Sequence, residues 1–198
     1  MNRYGARLPL SAGRLIAALG FLLFAVPSVG GSYWTTFFPA IVLLGFGMAV
    51  SVAPLTTVVM ESIDPDRAGT ASGINNAVAR VAGLLAVAVL GVVMVREFDA
   101  HLNRSLANVD MSASVRSELQ SNATKLAALK APAGVGPATA AAVESSVVAS
   151  FVFGFRLMMW VCAVLAIASA AVAWRTIPAR AKPVLATGLK DATLARVE

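Results

Sequence analysis

From Leu15 to Met60 the chain carries no charged side chain at all. One bilayer crossing takes about 20 apolar residues at about 1.5 Å each, so this run is long enough for two. Near its middle it is broken by Gly30, Gly31, Ser32, Tyr33, Trp34, Thr35 and Thr36, which reads as the turn of a transmembrane helical hairpin. Two further stretches have the same character: Thr70 to Val95, whose one charge is Arg80, and Ser145 to Trp174, whose one charge is Arg156. The pattern predicts an all-α membrane protein, one partial transmembrane domain over 1–198. Its four spanning helices fall at about 14–31, 37–60, 65–95 and 146–174, with an extramembrane loop at 96–144 and a tail at 175–198. Charged residues make up 13% of the chain, against roughly 25% in soluble domains.

A net charge of +6 raises the question of nucleic acid, but the basic residues form no patch interleaved with aromatics. No nucleic-acid partner is expected. Arg3, Arg7 and Arg14 precede the first span, and Arg175, Arg180, Lys182, Lys190 and Arg196 follow the last. The turn from Pro27 to Thr36 has no Lys or Arg, whereas the loop from Glu61 to Gly69 has Arg67. By the positive-inside rule both termini are cytoplasmic. No small-x-small cleavage pattern follows the first apolar run, so it is expected to stay in place as a helix.

Local signals refine these boundaries. Pro9 and Gly13 are expected to precede the first helix. Tyr33 and Trp34 suit an interfacial aromatic belt, Pro39 suits a first turn, and Pro54 predicts a kink. Asp64 and Pro65 form a helix-start signal. Within 96–144, Leu119 to Leu129 suggests one or two small helices before Pro132, Gly134, Gly136 and Pro137 impose a loop.

The 65–95 helix holds the residues of most chemical interest. Gly69, Gly73, Asn76, Ala77, Arg80, Leu84, Val87 and Gly91 recur at spacings of three and four and share one face, with Asn75 beside it. Small residues at this spacing let another helix approach closely. If the hydrocarbon begins near Thr70, Arg80 lies about 15 Å deep, where a guanidinium costs at least about 2.5 kcal/mol. It should therefore face a bundle or a water-filled cavity. It could tie helices together or lie in a substrate or gating path. Arg156 is nearer a membrane face and can snorkel.

All ten acidic residues fall outside the predicted hydrocarbon spans, the third helix starting about one turn before the bilayer core. Proton relays across membranes need an intramembrane carboxylate or histidine, so any coupling would borrow one from elsewhere. His101 stands alone in a polar segment and reads as a solvated loop residue. Cys162, the one cysteine, reads as packing. Neither a metal site, a cofactor site nor a catalytic constellation is expected. The chain does not read as an enzyme.

Asn2-Arg3-Tyr4-Gly5-Ala6-Arg7, followed by Gly13, resembles the D-R-x-G-R-R loop of the major facilitator superfamily in its C-domain copy, with Asn2 and Ala6 replacing an acid and a basic residue. Gly69-Thr70-Ala71-Ser72-Gly73-Ile74-Asn75-Asn76, then Arg80 and Gly83, resembles the A-G-x-A-S-G-x-x-N-x-x-R-x-x-G stretch of its fourteen-helix drug:proton antiporters. Gly45-Phe46-Gly47 with Pro54, a long loop after the third span, and Phe151-Val152-Phe153-Gly154-Phe155-Arg156 resemble the same family in order. The resemblance implies the last four helices of a C-terminal six-helix bundle in a plasma or bacterial inner membrane. It implies export of amphipathic, often cationic small molecules in exchange for protons.

On this reading Arg3, Gly5 and Arg7 belong to a cytoplasmic loop motif. Asn75, Asn76 and Arg80 lie near a central cavity or helix interface, and Gly69, Gly73, Ala77 and Gly83 serve helix packing. The expected partners are the lipid bilayer and either the missing transporter helices or another copy of the chain. Four helices cannot perform alternating access alone. The alternative is a small membrane interaction protein, or a nonfunctional remnant, that associates through its small-residue faces.

Overall fold

The computed structural model describes residues 7–26, 32–61, 67–132 and 134–177, with backbone alone at 53 and 56–61. Among these residues every regular element is helical: α1 (Arg7–Ala25), α2 (Tyr33–Thr36), α3 (Phe38–Glu61), α4 (Ala68–Ser105), α5 (Ala113–Ser121), a 3-10 turn (Ala123–Ala128) and α6 (Pro137–Thr176). Three of them, α1, α4 and α6, are long and apolar enough to cross a membrane; the apolar stretch recognised in α3, Phe38–Val52, is shorter.

The first helix starts at Arg7, not Arg14. Pro9 falls in its first turn, where backbone N–H groups have no intrahelical acceptor and a missing donor costs nothing. Gly13 lies inside the helix because a second helix needs the space. A Cβ there would meet Ser51 Oγ and stand 2.8 Å from the Gly47 carbonyl oxygen. Gly47 is equally confined, its Cβ position 2.5 Å from the Ala17 nitrogen, and that of Gly20 is 2.9 Å from the Leu44 nitrogen. The glycine cost in helix propensity is thus offset by backbone approach between α1 and α3. Ser51 returns its hydroxyl to the Gly47 carbonyl at 2.9 Å.

At the start of α3, Trp34 lies against Tyr33 at 5.7 Å and Phe38 at 5.1 Å. The helix continues through Pro54 to Glu61. The expected start signal at Asp64 and Pro65 lies outside the described residues. α4 is in place from Ala68.

α1 packs against α3 on one side and α6 on the other, and α6 packs in turn against part of α4. α1 and α6 run antiparallel and are held at three heights. The Arg7 guanidinium lies 4.0 Å over the Trp174 ring, Arg14 Nη1 donates to the Ser169 carbonyl at 3.4 Å, and Arg156 Nη2 donates to the Val26 carbonyl at 3.1 Å. Gly154 seats the Met94 thioether, 2.8 Å from where a Cβ would stand, and so sets the crossing of α6 over α4.

The region read as loop 96–144 is largely structured. α4 continues past Val95 to Ser105 and α6 begins at Pro137. At about 1.5 Å per residue these helices are about 57 Å and 60 Å long, far more than the roughly 30 Å of hydrocarbon. Their overshoot is driven by Phe98, Leu102 and Leu106, spaced by four on one face of α4. These bury against Val143 and Val147 of α6 together with Leu119, Ala123 and Leu129. The connecting chain folds over this seam as a small cap. Arg116 donates to the Leu106 carbonyl and Gln120 to Asn103. Gly134, at φ 88°, turns the chain toward α6, a conformation that suits glycine.

Candidate functional site: the open face of α4

Much of α4 within the predicted span stands open among the described residues. From Gly73 through Val89 every residue is exposed. Asn75, Asn76 and Arg80 all lie in this stretch, and among the described residues Arg80 has no hydrogen bond or ion pair. Gly69, Gly73, Gly83 and Gly91 have no atom within 4 Å of where a Cβ would stand, and Ala77 is exposed. These residues form a continuous line along α4, and none of the described residues lies against their Cβ positions. The helix forms because it is rich in Ala, Val and Leu. Among the described elements it packs chiefly against α6, at the Met94 crossing and the cap, and touches α3.

Arg3 and Gly5 lie outside the described residues. Arg7 opens α1, and its guanidinium is taken up by the Trp174 indole, a cation–π contact that ties the two helices together. Arg156, expected to snorkel, instead satisfies a carbonyl at the end of α1. A cation at a helix C-terminus also complements the helix dipole.

His101 is not a solvated loop residue. Because α4 extends to Ser105, the imidazole lies half-buried against α6. Its Nδ1 is 3.0 Å from the Ser150 hydroxyl and its ring is stacked 4.7 Å from Phe153. Ser150 is fully buried and donates to the Ser146 carbonyl at 2.6 Å. That leaves Nδ1–H as the donor to Ser150 Oγ, a tautomer consistent with both bonds. Sequence reasoning missed this contact, along with the α1–α3 glycines. The small residues Gly13, Ala17 and Gly20 at spacings of four and three were the available signal for the latter.

Long apolar helices and glycine-lined helix contacts fit a helical membrane protein. The family model of the Major Facilitator Superfamily, whose members are transporters, matches residues 1–87, and over that stretch the chain is similar to that superfamily. It is 34% identical over 115 residues to the multidrug resistance protein Stp of Mycobacterium tuberculosis, covering 54% of this chain and 20% of that one. It is 32% identical over 122 residues to a probable actinorhodin transporter of Streptomyces coelicolor, covering 60% and 20%. It is 30% identical over 177 residues to a tetracenomycin C resistance and export protein of Streptomyces glaucescens, covering 87% and 32%. The chain thus spans about a fifth to a third of the length of these curated relatives. No solved structure matches it.

Proposed function

We propose that the chain is the C-terminal portion of an exporter of drugs or other small molecules, of the fourteen-helix drug:proton antiporter type, coupled to protons and inactive by itself. The observation that carries this reading is the open face of α4, where Asn75, Asn76, Arg80 and the glycines stand exposed among the described residues. In this reading four helices cross a plasma or bacterial inner membrane with both termini cytoplasmic, and the cap lies on the outer side. Arg3, Gly5 and Arg7 then sit in a cytoplasmic loop, and Asn75, Asn76 and Arg80 line the central cavity or the interface beside it. Alternating access requires one helical half to rock against another, and the rest of that machinery, with its proton carriers, comes from outside these residues. The names of the relatives, which speak of multidrug resistance, an actinorhodin transporter and tetracenomycin C export, support export of small molecules.

The test is drug accumulation in efflux-deficient cells, with membrane abundance read from a C-terminal tag. The chain alone should leave accumulation unchanged. A chimera in which it replaces the matched stretch of the Streptomyces glaucescens exporter should lower tetracenomycin C accumulation, and the effect should collapse with the proton gradient. A chimera that reaches the membrane and exports nothing would overturn the reading in favour of a membrane interaction protein or remnant, which the same open glycine face would also suit.

A further inference from the structure

We propose that α4 docks a second transmembrane helix that carries a carboxylate near the bilayer midplane, with Arg80 as the anchor of the contact. The inference rests on the reading of the chain as one part of a larger helical assembly, and it names the chemistry of the neighbour.

Arg80 carries the argument. It lies roughly half-way across the predicted span, it is exposed, and nothing among the described residues meets it. A guanidinium at that depth needs a counter-charge or water. The chain's own helices do not offer the charge. α1 has no acid, and the acids of α3, α4 and α6 are Glu61, Glu97, Asp99 and Glu144. Glu61 ends its helix, and the other three lie in the extensions that carry the cap. Glu97 is about 25 Å from Arg80 along the helix axis.

The shape of the face indicates what brings the carboxylate. Gly69, Gly73, Asn76, Arg80, Gly83, Val87 and Gly91 lie within one narrow sector of the helix, and the four glycines leave room for a backbone. From Gly69 to Gly91 the line is about 33 Å long, matching the roughly 30 Å hydrocarbon thickness. That footprint fits a whole helix rather than a small molecule. A second copy of the chain pairing α4 to α4 would set two guanidiniums on the same line, so like-charge repulsion selects a different, acidic helix.

The full chain, fluorescently tagged at its C-terminus, would be reconstituted into phosphatidylcholine vesicles at pH 8. An acceptor-labelled Ala/Leu transmembrane peptide of about 24 residues would be titrated in, carrying either one central Glu or one central Gln. Energy transfer should report an apparent affinity about tenfold higher for the Glu peptide. Arg80→Leu should abolish the preference and Arg80→Lys should retain part of it. Equal affinity for the two peptides would overturn the proposal. So would a Glu preference that survives Arg80→Leu, or self-association through α4. The assay involves no transport, so an exporting chimera with no peptide preference would sink the docking alone. A peptide preference without export would sink the exporter reading alone.

Discussion

Arg156 of α6 donates a hydrogen bond to the carbonyl of Val26, 130 residues earlier in the chain, where α1 has just ended. The last carbonyls of a helix lack intrahelical donors, and in a membrane protein such a group is satisfied by a neighbour or not at all. Replacing the guanidinium should loosen that end of the α1–α6 contact. Arg156→Leu is expected to lower unfolding stability in detergent by about 1 kcal/mol, with Arg156→Lys recovering part of it. Thermal unfolding of the purified chain checks this.

Gly45 and Gly47 stand two positions apart and should respond in opposite directions. A methyl at Gly47 would meet the Ala17 nitrogen and the Gly13 carbonyl oxygen, both backbone, whereas one at Gly45 meets nothing within 4 Å. Gly47→Ala is expected to cost about 1–3 kcal/mol by overpacking. Gly45→Ala should gain up to about 0.5–1 kcal/mol of helix stability. Parallel denaturation of the two variants reads the contrast, and equal behaviour would contradict the α1–α3 packing.

The cap should melt locally when its central side chain is truncated. Phe98 is wholly buried among Leu102, Val143 and Leu119, so Phe98→Ala is expected to cost about 3–5 kcal/mol. Hydrogen exchange should accelerate between residues 98 and 129 while α1 and α3 keep their protection.

Arg80 is exposed and has no hydrogen bond or ion pair among the described residues, so Arg80→Ala should leave the unfolding midpoint unchanged. In the exporting chimera the same substitution is expected to reduce export at least about tenfold with membrane abundance retained. Transport assays paired with quantitative blotting of the tag would separate the two effects. Unchanged export at unchanged abundance would remove Arg80 from any functional role.

Much of the helical layout was legible from charge alone, because hydrocarbon tolerates so few ionised groups that their absence marks a span. The same signal misplaced three boundaries. Arg96 and Glu97 mark where apolarity stops, but the four-residue spacing of Phe98, Leu102 and Leu106 carries the helix onward. Pro9 and Gly13 look like helix breakers; one sits where no donor is needed, and the other sits where α3 leaves no room for a side chain. The grouping of Asn76, Arg80 and the α4 glycines on one face followed from helical periodicity. The partners of Arg156 and His101 did not, since they lie on helices far away in sequence and depend on how α1, α4 and α6 cross.

The cap gives α4 the mechanics of a cantilever. The helix is clamped beyond Phe98 and rests on a fulcrum where Met94 meets Gly154, while its Ala68 end extends about 39 Å from that fulcrum. A tilt of about 5° at the fulcrum displaces the far end by roughly 3 Å, about two residues of helical rise. A small change of packing at the clamped end is thereby magnified at the end that bears Gly69 and Gly73, with no bending of the helix required.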